Sequence, residues 1–323
     1  MSALAETLSD VLPETNSSNY NPGPAAKFLP MGSGDRLLTN EELEAALRSV
    51  GAARYHILHP FHQRMNAGEL TRAQMQAWAL NRYCYQAVIP RKDALILAQS
   101  DDPAFHREWR KHIVDHDGDD AGSEGAIRRW IKLAEGVSFD PEMVISTRYA
   151  LPATRYAVVS YIDLVTKHSL LVAVASSLTE MFSEAAIAQR VPAMLARYDY
   201  ITEETLTYFT PRLTQAPRDA DFALAYVCTN ADTPQKQADA VNALIAKCDM
   251  LWAMLDALEY AYVDPANTPP GAFCPEDLQA MRRARIMITP ASRPYLPDHI
   301  QLRFDALYGR SILLAPEKDA LAG

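Results

Sequence analysis

The residues best placed to do chemistry are polar side chains set into apolar helical stripes. In Trp78–Asp93 (WALNRYCYQAVIPRKD), Arg82, Tyr85 and Gln86 recur at steps of three and four, and Ile89 and Asp93 continue the stripe. Trp78, Ala79, Leu80, Val88 and Leu95 supply the apolar surroundings. A buried polar group without a partner costs several kcal/mol, so these side chains either satisfy a neighbouring helix or face a ligand. Pro90 lies inside the pattern, so the helix bends or opens there and frees a backbone carbonyl near the stripe.

Further cations and acids follow the same rule. Lys247 shares a stripe with Leu244, Leu251 and Met254, where a lysine either snorkels to the bundle surface or is aimed at an anionic ligand. Glu204, Tyr208 and Arg212 stack at intervals of four, with Pro211 beside the arginine. Thr179 and Glu180 follow a run of small residues, Ala173–Ser177, that permits close helix packing around them, and Arg190 lies ten residues beyond Glu180. His112 and His116 stand at i and i+4, a spacing able to bind a metal, yet no Glu-x-x-His occurs in the chain. At a helix C-terminus between Asp115 and Asp117, His116 is expected to have its protonated form favoured, which suits a general acid/base.

The elements that must position these residues read as helices. Thr39 with Glu42, and Thr71 with Gln74, are capping boxes. Asp102-Pro103 opens a helix that ends at Gly118, Pro141 and Pro152 head two more, and a short one spans Ile127 to Ala134. Thr202-Glu203-Glu204 is expected to begin a helix carrying Tyr208 and Arg212, with another running from Pro217 to Val227 and a last long one from Thr233 to Tyr262. The pattern predicts an all-α bundle of roughly eight helices with its sites between facing helices. Residues 1–35 read as a flexible arm, 36–262 as the helical domain and 263–291 as a Pro-rich linker with a short helix over 276–287. In 292–323, alternation at Ile300, Leu302 and Phe304 followed by Ile312–Leu314 predicts a β-hairpin.

Composition narrows the function classes. With 323 residues, 49% of them hydrophobic, the chain can bury one large core. A formal charge of −9 disfavours nucleic acid and anionic membrane as partners. The four cysteines form no CxxC pair, which argues against a disulfide scaffold or structural zinc. No leader and no apolar membrane-spanning window are expected, which points to the cytoplasm.

The motifs HPFH, NRYCYQ, IP-x-KD, DHDG, SSLTE and LTQAPRD occur in this order between Leu38 and Tyr262, and together they resemble the pyrroloquinoline-quinone synthase family. RPYLPDHIQLRF followed by ILLAPE is similar to the opening of the small peptide chaperone of the same pathway. The resemblance implies a homodimeric, heme-oxygenase-like helical bundle that uses neither metal nor organic cofactor. It implies ring closure and O2-dependent oxidation of a bicyclic tricarboxylate precursor to pyrroloquinoline quinone, with release of hydrogen peroxide, and precursor-peptide partners reached through the C-terminal segment.

Residue by residue, the resemblance makes His116 the catalytic acid/base and places Tyr208 and Arg212 at the oxygen-handling end. It gives Tyr55, His56, Arg82, Gln86, Tyr161, Thr179, Glu180, Arg190 and Lys247 as substrate contacts. Ile187 stands where many members have a histidine, and His112 takes the place of a substrate-contacting arginine. Arginine clamps carboxylates bidentately, so Arg82, Arg190 and Lys247 suit an anionic substrate. Two other readings use the same residues: a binding or carrier protein for the quinone, and a metal-dependent oxygenase built on His56, His112, His116 and Glu180.

Overall fold

The computed structural model describes residues 36–276, 278 and 279. Among them are twelve α-helices, two 3-10 segments and no strand beyond an isolated bridge between Gly118 and Glu124. The expected hairpin lies wholly outside the described residues, and the short helix over 276–287 almost wholly so. The described residues up to Phe273 belong to one compact unit, and Cys274 begins a second.

Local chemistry starts most helices where the sequence reading put them. α1 (Asn40–Arg54) is opened by Thr39, whose side chain accepts from the Glu42 amide while Glu42 accepts from the Thr39 amide. α2 (Pro60–Ala67) follows a 3-10 turn over His56–Leu58, and α3 (Arg72–Gln86) has a second complete capping box at Thr71 and Gln74. Pro90 divides the long polar stripe: α3 ends at Gln86 and α4 (Ile89–Leu97) restarts with the proline in its first turn. α5 (Pro103–Asp117) is capped by Asp102 and stopped by Gly118 at φ 89°. There a Cβ would meet the Ser123 carbonyl oxygen at 2.5 Å, so glycine is required on two counts.

α6 (Ala126–Gly136) and α7 (Pro141–Ser146) lead to α8 (Pro152–Lys167), which has no side-chain cap of its own. Asn81 of α3 supplies one: its Oδ1 accepts from both the Leu151 amide and the Thr154 hydroxyl at 2.8 Å, tying the start of α8 to the middle of α3. α9 (Leu170–Ala175), a 3-10 segment (Ser176–Phe182) and α10 (Ser183–Arg197) run on from one another. By length and composition this run can cross a membrane, contrary to the sequence reading. More than half of its most apolar window is buried inside the bundle, as in the core helix of a globular protein.

A second correction concerns the region before and after Pro217. Residues 203–208 form turns, and one helix, α11 (Phe209–Asn230), passes through Pro217 without a break. Its apolar face, with Phe209, Ala216, Ala220, Ala223 and Val227 buried, outweighs one missing N–H. α12 (Pro234–Tyr262) is the central helix, packed against α1, α2, α3, α8, α9 and the second 3-10 segment. Gly51 on α1 lets the Phe182 ring at the end of that segment approach, since a Cβ there would lie 2.1 Å from the ring.

Candidate functional site

The polar stripes converge on one cavity enclosing roughly 790 Å³ of space between atoms, mouth included. Tyr55 and His56 close it from the first 3-10 turn, Arg82 and Gln86 from α3, and His112 and His116 from α5. Tyr161 comes from α8, Thr179 and Glu180 from the second 3-10 segment, Arg190 from α10, Tyr208 from the turn before α11, and Arg212 from α11. Ile187 stands in the wall among them.

Lys247 is the one expected site residue that does not line the cavity. It neither snorkels nor projects into the open space: it is 1% exposed, donates to the Tyr85 hydroxyl at 2.8 Å, and lies 3.2 Å from the centre of the Tyr161 ring. Tyr85 and Tyr161, stacked at 6.1 Å, separate it from the cavity. Burial first, then Lys92 and Arg82, hold its ammonium well below the usual lysine range.

His116 departs from the expectation of a favoured imidazolium. Burial, then the Arg212 guanidinium, pull it down to about 4. Asp115, expected to oppose this, instead pairs with Arg218 on α11. The ring Nδ1 lies 2.8 Å from the His112 carbonyl, which only accepts, so Nδ1 carries the proton and Nε2 offers a lone pair: a neutral base.

Arg212 donates to Glu180 at 2.5 Å, Ser183 donates to the same carboxylate at 3.0 Å, and Asp219 lies 3.6 Å from the other guanidinium nitrogen. Burial alone raises the Glu180 carboxyl, but Arg212 and Ser183 bring it below its ordinary value. Burial raises the Tyr208 hydroxyl above its ordinary value against the pull of Arg212, and the Tyr208 ring meets Trp130 edge-on at 4.8 Å.

Lys92, Asp93 and Asp219 also line the cavity, beyond the site residues that the sequence predicts. Asp93, fully buried, accepts from Lys92 and from the Trp109 indole at 3.0 Å. Against the cost of burial, Lys92 and His112 keep its carboxyl far below the carboxylate range. His112 stands between two acids, its Nε2 3.3 Å from Asp219 and its Nδ1 3.6 Å from Asp93. The signals lie in IP-x-KD and LTQAPRD, but only tertiary contact makes Asp219, 126 positions beyond Asp93 in the chain, a neighbour of Asp93 through His112.

Arg82, Arg190 and Lys247 share one property. Among the described residues, none has a carboxylate within ion-pair distance: Arg82 lies over the Tyr85 ring at 4.4 Å, and Arg190 touches His62 at 3.4 Å with its Nε unpaired. Burial lowers Arg190 to about 10. Basic groups left uncompensated in this way are complementary in charge to an anionic ligand. Among the described residues, no three His, Cys, Asp or Glu side chains converge as a metal site.

The sequence model of the TENA/THI-4/PQQC family matches residues 44–257. A protein of Acidiphilium cryptum named pyrroloquinoline-quinone synthase is 62% identical over 237 residues, 73% of this chain and 96% of that protein. A Methylorubrum extorquens protein named bifunctional coenzyme PQQ synthesis protein C/D is 51% identical over 301 residues, 88% of this chain and 81% of its own length. In structure, a Shewanella denitrificans domain with a heme oxygenase-like fold superposes with a TM-score of 0.61 over 74% of this chain and all of that one, at 15% identity. The helical architecture is therefore heme-oxygenase-like, and the chain belongs to the TENA/THI-4/PQQC family.

Proposed function

We propose that the chain is a pyrroloquinoline-quinone synthase that closes the ring of a bicyclic tricarboxylate precursor and oxidises it with O2, without metal or organic cofactor. The observation that carries this reading is the set of basic side chains without carboxylate partners, half-buried Arg82 and buried Arg190 in the wall and buried Lys247 behind it. They match a substrate bearing three carboxylates. The neutral His116 supplies a base inside the same cavity.

In this reading His116 Nε2 removes a proton from the bound precursor, which makes the ring electron-rich. Each oxidation then passes two electrons and two protons from substrate to O2 and releases hydrogen peroxide. Arg212, with Tyr208 as a donor, stabilises the negative charge that oxygen acquires, in a site with little water. Tyr55, His56, Gln86, Tyr161 and Thr179 hold the substrate, and Glu180 holds Arg212.

The reading extends to a homodimer working in the cytoplasm, and to a C-terminal segment that meets a precursor peptide. The second idea draws support from the bifunctional Methylorubrum relative, whose match extends over 301 residues. A carrier for the finished quinone is the competing reading, favoured by the apolar Ile187 in the cavity wall. One experiment separates the two. Chelator-treated protein is mixed with ring-open precursor under nitrogen and then exposed to O2 while quinone absorbance and peroxide are followed. Quinone forming only after O2 enters is the expected result; tight binding without quinone would favour the carrier.

A further inference from the structure

The HPFH motif and the turn before it place two imidazoles in contact at the end of the cavity nearest Arg190, and only one of them, His56, lines it. His62 is 3% exposed and stands behind it, with the two rings 4.7 Å apart and edge-on. His62 Nδ1 lies 2.9 Å from the His56 carbonyl oxygen and 3.0 Å from His56 Nδ1. A carbonyl accepts and never donates, so the proton on the His62 ring must sit on Nδ1. A bare nitrogen there would set two lone pairs against each other at hydrogen-bond distance.

The consequence passes to the neighbouring ring. With His62 Nδ1–H directed at this pair of acceptors, His56 Nδ1 must be bare, since two N–H groups cannot share the 3.0 Å gap. Arg190 Nη2, 3.4 Å from His62 Nδ1, then has no acceptor in that ring nitrogen and keeps its donors for a ligand. Both imidazoles are held neutral, chiefly by burial and then by the nearby guanidinium groups of Arg82 and Arg190.

We propose that His62 is a positioning residue that locks His56 in the Nε2–H tautomer, so that His56 presents a neutral donor to a carboxylate or carbonyl oxygen of the ligand. His116, by the same carbonyl argument, is locked in the opposite tautomer, with Nδ1 protonated and Nε2 bare. The cavity thus holds one imidazole that can only give a hydrogen bond and one that can only take a proton. The ligand class rests on the function proposed above; the tautomers do not.

The test is 15N NMR of the full chain labelled in its histidine ring nitrogens, without ligand, at neutral pH. Resonances are assigned by their loss in His56→Gln, His62→Phe and His116→Gln. The expected spectrum shows His56 with a bare Nδ1 and a protonated Nε2, and His116 with the reverse. In His62→Phe the His56 pattern is lost to the Nδ1–H form or to a mixture, and in His62→Gln, whose amide N–H can replace the lost donor, it is restored. His56 protonated at Nδ1 in the wild type overturns the proposal, as does a His56 pattern unchanged in His62→Phe. Should His62→Phe not fold, His62→Leu, which also lacks a donor, takes its place with the same loss of the His56 pattern expected. No turnover is measured, so a protein that makes no quinone but shows these tautomers loses the proposed function and keeps this inference.

Discussion

Lys247 and Tyr161 are locked together, the ammonium 3.2 Å from the ring centre, although they come from different helices and are separated by the whole of α9 to α11 in the chain. Like Arg82 and Arg190, this lysine is a basic group without a carboxylate partner, an arrangement that stabilises the fold little and that the proposed function assigns to an anionic ligand.

For that reason Arg190→Leu is expected to raise the melting temperature of the ligand-free protein by a few degrees, corresponding to about 1 kcal/mol. The same change is expected to weaken tricarboxylate binding by about tenfold or more. Differential scanning calorimetry and titration calorimetry on the same samples check both halves. A variant that loses stability and keeps affinity would remove Arg190 from the receptor.

His116→Ala is expected to lower turnover by about 10²-fold or more while still binding product, as removal of a general acid/base does. In the wild type, the acid limb of kcat/KM is expected near the value of about 4 that burial and Arg212 impose, well below that of a free imidazole. Steady-state rates across pH decide the point; a limb near that of free histidine would assign it to another group.

Burial of His116 also predicts a pH dependence of stability. Above pH 6.5 the imidazole is neutral in both folded and unfolded chains and contributes nothing. As pH falls from 6.5 to about 4, the unfolded chain takes up a proton that the folded site refuses, so stability declines across this window. His56 and His62, shifted the same way, add to the decline. Urea unfolding of wild type and His116→Gln is expected to show a shallower acid decline in the variant.

Glu180→Gln tests the acid that holds Arg212. Losing the charge-assisted bonds from Arg212 and Ser183 is expected to cost about 2 kcal/mol in denaturant unfolding. With the guanidinium released, the rate of oxygen consumption is expected to fall more than substrate affinity does. Equal loss of both would make Glu180 a substrate contact instead.

Gly51→Ala probes how the site is held from a distance. The added methyl would drive the Phe182 ring out of the notch in α1 and disturb the segment that carries Thr179 and Glu180. A cost of roughly 1–3 kcal/mol is expected, with a loss of activity beyond what the lost stability explains.

What the sequence determined by itself was local. The capping boxes at Thr39 and Thr71, the starts at Asp102-Pro103 and Pro152, and the stop at Gly118 depend on neighbours within a few residues, and each stands where the pattern put it. The stripe of Arg82, Tyr85 and Gln86 could be read because helical period alone places them on one face. Tertiary structure decided the rest. Pro217 reads as a helix start because a missing N–H is a local signal, whereas the apolar face that carries α11 through it gains its energy only by packing. Lys247 could not be placed behind Tyr161, nor Asp219 beside His112, from spacing within one helix. The charge of His116 is not legible in the chain, because Asp115 and Asp117 are its sequence neighbours while the groups that set it, the surrounding bundle and Arg212, are adjacent only in space.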